Sequence, residues 1–182
     1  YSVSISGDYA LVGAYQDDDG GSKSGSAYTF VRDGTSWSQQ AKLVASDAAD
    51  SDFFGLSVSI SGDYALVGAY GDDAQSIGQS GGAYTFVRDG TSWSHEAKLV
   101  AGDAAGSDNF GRSVSISGDY ALVGAYQDDD GGTDSGSAYI FVRDGTSWSQ
   151  QAKLVADDPA ADDWFGTSVS ISGDYALVGA RQ

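Results

Sequence analysis

The chain has 182 residues and a formal net charge of −17, from 26 acidic side chains against nine basic ones. A nucleic-acid partner is not expected, because phosphate binding needs a basic surface to displace counterions. Cysteine is absent, which removes a disulfide framework and any thiolate metal site. With no cysteine and one histidine, His95, no nucleophile–base pair stands out.

Ser2–Ser6 alternates polar and apolar residues, with Val3 and Ile5 on one face, and reads as a strand. Ser6-Gly7-Asp8 is a turn, since glycine tolerates positive φ and aspartate bonds its own backbone. Tyr9–Tyr15 is apolar on both faces and reads as the interior strand of a sheet. Its seven residues are the longest apolar run, far short of the roughly 20 needed to cross a bilayer, so no membrane insertion is expected. The loop 16–25 leads to a third strand at Ala27–Arg32, with Tyr28 and Phe30 on one face. Asp33-Gly34 is a hairpin signal. The strand near Trp37–Ala45 carries Trp37, Ala41 and Leu43 at even spacing, and an acidic loop at 46–52 follows.

This whole unit then recurs. The phrase Ser-Val-Ser-Ile-Ser-Gly-Asp-Tyr-Ala-Leu-Val-Gly-Ala starts at Ser2, Ser57, Ser113 and Ser168. Segments 2–56 and 113–167 are identical at all but nine of 55 positions. Such periodicity predicts one supersecondary unit stacked on copies of itself. We divide the chain into repeats at 1–56, 57–112 and 113–167, with a fourth beginning at 168–182. It opens and closes within a repeat, and is read as a window of a longer array. No signal peptide is visible, so any export signal would lie outside it. Four strands per unit predict an all-β fold of tandem four-stranded antiparallel blades of β-propeller type. Propellers usually close with about four to eight blades, so either part of a closed propeller or an open repeat stack is expected.

Phe54-Gly55, Phe110-Gly111 and Phe165-Gly166 precede Gly68-Ala69, Gly124-Ala125 and Gly179-Ala180 at a constant interval. With the acidic glycine-rich loop and the Trp-Ser-x-x-Ala-Lys-Leu strand, this pattern resembles the bacterial branch of the FG-GAP repeat family, whose repeats also build integrin α subunits. The resemblance implies propeller blades in extracellular or cell-surface proteins, often adhesive, some with calcium in the loop after the second strand. One departure is clear: the family's proline after Gly-Ala is Tyr15, Tyr70, Tyr126 or Arg181 here.

Calcium prefers several oxygen ligands from a flexible loop. Candidate ligands are Asp17 and Asp19 in the first repeat, and Asp128, Asp130 and Asp134 in the third. The integrin-like alternation is incomplete, because Tyr15 stands where a third acidic residue belongs, and the second loop, Asp72-Asp73, is poorer still. The bland alternative is an exposed loop whose aspartates shape turns. Asp52, Asp108 and Asp163, each two residues before its Phe-Gly, are read as turn stabilisers. Trp37, Trp93 and Trp148 are expected to pack rather than to stack on sugars. His95 beside Glu96 reads as surface drift, since a general base needs a positioned partner.

The expectation is therefore a non-enzymatic extracellular or cell-surface structural or adhesive repeat protein, self-associating with further repeats or copies into an array or filament. The alternative is a calcium-dependent adhesion module that binds a protein or glycan ligand.

Overall fold

The computed structural model describes residues 1–181. It contains three four-stranded antiparallel sheets, each in simple sequential order, and a final hairpin. The first sheet holds β1 (Val3–Ser6), β2 (Tyr9–Ala14), β3 (Ser26–Asp33) and β4 (Ser36–Leu43). The second holds β5 (Ser57–Ser61), β6 (Tyr64–Ala69), β7 (Gly82–Asp89) and β8 (Ser92–Leu99). The third holds β9 (Ser113–Ser117), β10 (Tyr120–Ala125), β11 (Ser137–Asp144) and β12 (Ser147–Leu154). The hairpin is β13 (Ser168–Ser172) with β14 (Tyr175–Gly179). Among the described residues, the only helical element is one 3-10 turn at Ala74–Ser76.

The expected strands are present, with two shifts of detail. Asp33 pairs with Ser36, so the two-residue loop is Gly34-Thr35, one position later than the sequence signal. Gly34 takes the left-handed φ of +60° there. The even spacing of Trp37, Ala41 and Leu43 does not put them on one face, because a β-bulge interrupts the pairing of β3 with β4 between Thr29 and Phe30. In the second sheet the same bulge sends Trp93 to the face packed on the preceding sheet, while Ala97 and Leu99 join the face packed on the following one. An inserted residue reverses the side-chain phase of a strand.

Consecutive sheets pack face to face, as period-2 alternation requires of a strand apolar on both sides. Val58, Ile60, Val67, Tyr84 and Phe86 of the second sheet bury against Leu11, Ala27 and Leu43 of the first. Val114, Ile116, Val123, Tyr139 and Phe141 repeat this against Leu66, Ala83 and Leu99. The first strands of neighbouring sheets lie side by side, whereas the fourth strands stand farther apart. The residues leading into all four first strands line one open hollow of about 380 Å³. The sheets are therefore propeller-type blades fanned about a common axis, and they do not close into a ring within this chain.

A first strand has an unpaired edge, and unsatisfied backbone donors there are costly. The serines of the repeated phrase meet them. Ser2, Ser4 and Ser6 Oγ accept the N–H groups of Val58, Ile60 and Gly62 on the next blade, each at 3.1 Å. Ser59 and Ser61 do the same for Ile116 and Gly118, and Ser115 and Ser117 for Ile171 and Gly173. The serine face of the repeated phrase is thus the inner seam between blades.

Candidate functional site

The Phe-Gly pair forms the joint between blades. Phe54 N–H donates to Ser24 C=O at 3.0 Å, and Gly55 N–H to Gly68 C=O at 2.9 Å, so the linker threads between two sheets. Three glycine backbones meet there. A Cβ on Gly13 would lie 1.9 Å from Gly55 O, and one on Gly25 would lie 2.0 Å from Phe54 O. Gly55 itself has φ +89°, which only glycine adopts without strain. The Phe54 ring is fully buried, edge-on to Tyr84 and Phe86 of the next blade.

Beside each joint lies a cage of carboxylates around a lysine ammonium. In the third blade Lys153 Nζ, on β12, reaches Asp103 at 2.7 Å and Asp128 at 2.9 Å, and pairs with Asp130. The oxygens of these three aspartates lie within 4.8 Å of one another. Tyr139 OH donates to Asp103 at 3.0 Å or to Asp128 at 2.8 Å. In the second blade Lys98 pairs with Asp47 and Asp72, each at 2.8 Å, and the Tyr84 hydroxyl bonds both carboxylates. In the first, Lys42 reaches Asp17 at 3.0 Å and contacts Asp19. Asp47 and Asp103 belong to the loops leaving the preceding blade, so these two cages tie successive blades together.

The cages set the ionisation of their members. The Lys42 ammonium, with help from the Ser26 and Tyr28 hydroxyls, holds Asp17 down at about 2. Burial works against ionisation of Asp47 and Asp103, but bonds from Lys98 and Lys153 and from the tyrosines outweigh it and lower both. Burial pushes the Tyr84 and Tyr139 hydroxyls up, and the neighbouring aspartates add to the shift. Both phenols stay protonated as donors.

The structure brings Asp17 with Asp19, and Asp128 with Asp130, to one cation-sized position each, occupied by a lysine in both cases. Asp134 stands outside the group: its N–H donates to Asp129, and its carboxylate accepts from Gln127 at 3.3 Å. Sequence reasoning missed Lys42, Lys98 and Lys153. The available signal was their fixed place in the Ala-Lys-Leu strand, one of the few basic positions in a strongly acidic chain.

Asp52, Asp108 and Asp163 do stabilise turns, accepting the N–H of Ala49, Ala105 and Ala160 at 2.6, 2.6 and 2.8 Å. Burial, reinforced by the nearby charges of Asp72 and Asp128, pushes Asp52 and Asp108 up to about 6 despite those bonds. A carboxyl raised from 3.8 to about 6 on folding gives stability that is full below the lower value and lost as pH rises through the upper one. Asp17 acts oppositely, losing its contribution as pH falls from 3.8 towards about 2. Stability should therefore be greatest near about pH 4, falling above it as Asp52 and Asp108 ionise and below it as Asp17 takes up its proton. Thermal melts should give a higher midpoint at about pH 5 than at about pH 7.5, with each buried carboxyl supplying on the order of 1–3 kcal/mol. Asp52→Asn with Asp108→Asn should flatten that slope, and an unchanged slope would rule these groups out as its source.

Of the three tryptophans expected to pack, Trp93 and Trp148 do so, whereas Trp37, with no described blade before it, is exposed. Trp93 Nε1 donates to Gln40 at 2.8 Å and Trp148 Nε1 to Glu96 at 2.7 Å, each across a blade junction. His95 lies against the Tyr84 and Phe86 rings, so it and Glu96 serve different neighbours. Tyr15, Phe53 and Tyr70 form a partly exposed run of rings on the loop side. Arg112 lies 5.9 Å from both the Tyr70 and Tyr126 rings, and Tyr126 meets Trp164 edge-on. These tyrosines fill the position of the proline expected after Gly-Ala.

A comparison with curated proteins finds no match. The FG-GAP repeat family profile matches residues 1–30, 37–86, 93–141 and 148–182. Both internal matches run from the tryptophan of one blade's fourth strand to the phenylalanine of the next blade's third. The family unit therefore straddles a blade junction and contains the Phe-Gly joint. Covering nearly the whole chain, these four matches show that it belongs to the FG-GAP repeat family.

Proposed function

We propose that this chain is a non-enzymatic scaffold, extracellular or at the cell surface, whose blades continue across its two open faces onto further repeats or other copies to build a larger adhesive or structural array. One observation carries this reading. Val3 and Ile5 are 73% and 66% exposed, yet their counterparts Val58, Ile60, Val114 and Ile116 are buried by a preceding blade. At the other end Leu177 is 73% exposed, while Leu66 and Leu122 are fully buried by a following one. The two open faces are thus the halves of an interface that the chain forms internally. Burying each such side chain is worth about 1.5–3 kcal/mol. The family's occurrence in surface proteins supports the location, and the separate neighbours of His95 and Glu96, aromatic rings for one and the Trp148 indole for the other, support a role without catalysis.

The run of rings from Tyr15 to Trp164 favours a second reading, recognition of a protein or glycan ligand on the loop side, because aromatic faces suit such contacts. Light scattering separates the two. At an ionic strength of about 0.15 M, where surface charge is screened beyond about 8 Å, the mass should grow with concentration above the 18.7 kDa of one chain. Val3→Asp with Ile5→Asp should hold it at one copy with the melting point of the dilute, monomeric native chain, since neither side chain is in the core. A native chain that stays single throughout would overturn the scaffold reading.

A further inference from the structure

In some family members calcium sits in the loops that here hold Lys42, Lys98 and Lys153, and with an ammonium at the centre of each cage the residues present do not fit that ion. Calcium takes six to eight oxygens at about 2.3–2.6 Å. An ammonium offers three donors and needs only three acceptors. The third cage supplies three carboxylates, Asp103, Asp128 and Asp130, all of them paired with Lys153 Nζ. Asp72 and Asp128 are 4% and 3% exposed, so each depends on its lysine and its tyrosine hydroxyl for compensation. Asp134, the remaining candidate ligand of that loop, is turned to Gln127.

We propose that Lys42, Lys98 and Lys153 are tethered cations that do the work of a divalent ion, so that the acidic loops and the junctions between blades are assembled without metal. The lysine enters from the fourth strand of its own blade, whereas Asp47 or Asp103 enters from the loop of the blade before. One side chain thus neutralises a loop and fastens it to its neighbour. The cages are graded. Ala74 stands in the second where Asp130 stands in the third, leaving Lys98 two carboxylate partners against three for Lys153. This inference is independent of association between copies.

The test is thermal unfolding and calcium titration calorimetry on the whole chain, with EDTA or with about 1 mM calcium, a concentration that fills extracellular calcium modules. The native midpoint should be the same in both, with no saturable heat of binding. Lys153→Met should lower the midpoint by several degrees in EDTA, and calcium should restore much of the loss where sodium chloride of equal ionic strength does not. Lys98→Met should fall similarly and recover less, having one carboxylate fewer. Saturable calcium binding by the native chain with a raised midpoint would overturn the proposal, whether or not the variants fold. So would a Lys153→Met chain as stable in EDTA as the native one, or a destabilised one indifferent to calcium.

Discussion

Phe110→Ala should cost about 3–5 kcal/mol, the usual loss when a buried phenylalanine is truncated and its cavity persists. The ring is fully buried between blades, edge-on to Tyr139 at 5.5 Å and to Phe141 at 5.9 Å. Collapse into the gap is hindered, because the linker is held at both ends of the pair. Phe110 N–H bonds Ser80 C=O, and Gly111 N–H bonds Gly124 C=O, each at 3.0 Å. Against a typical stability of about 5–15 kcal/mol, the loss would remove much of the margin at this junction. Phe165 is an internal comparison. It occupies the same joint before the final hairpin, but it is only partly buried and has no counterparts of Tyr139 and Phe141 to pack on. Phe165→Ala should cost clearly less in urea unfolding. Equal costs would mean that Phe110 does not draw its stability from the following blade.

Gly111→Ala should be comparably damaging through the backbone. Its φ is +89°, and an added Cβ would stand 2.2 Å from Gly82 O, a backbone atom that cannot swing aside. Strain and forced separation together should cost about 3 kcal/mol or more. Gly118→Ala isolates the first component. It also has positive φ, +56°, but nothing lies within 4 Å of the new methyl, so the cost should stay near 1 kcal/mol. A Gly111→Ala chain no less stable than Gly118→Ala would show that the blades do not approach as closely as described.

Both variants touch the part of the fold that the sequence made easiest to find. Repeat period, strand alternation and glycine-bearing turns all follow from near-neighbour chemistry, and four strands per blade could be read from residues 2–45 alone. The Phe-Gly motif could be recognised, but its reason could not. The need for glycine at residues 13, 25 and 55 comes from backbones far apart in sequence that meet at one point. The serines were hidden for a related cause. Nothing near Ser2, Ser4 and Ser6 in the sequence names a partner for them, because only the next blade, more than fifty residues on, supplies the N–H groups they accept. The acidic loops were visible as clusters, yet their cation was not, because Lys153 joins Asp130 across 23 residues and Asp103 across 50. The bulge opposite Phe30 was equally silent, as a single inserted residue leaves no mark in composition.

Amide hydrogen exchange tests most directly whether successive blades interlock through their first strands. The N–H groups of Ile60, Ile116 and Ile171 point away from their own sheets and find only serine hydroxyls of the preceding blade, each at 3.1 Å. Protection of these three amides close to that of the paired strand interiors is the predicted result, with Ile5, which has no blade before it in a single copy, exchanging fast at a dilution where the chain is monomeric. Rapid exchange at all four, beside protected interiors, would mean separate sheets on a string and would contradict the account.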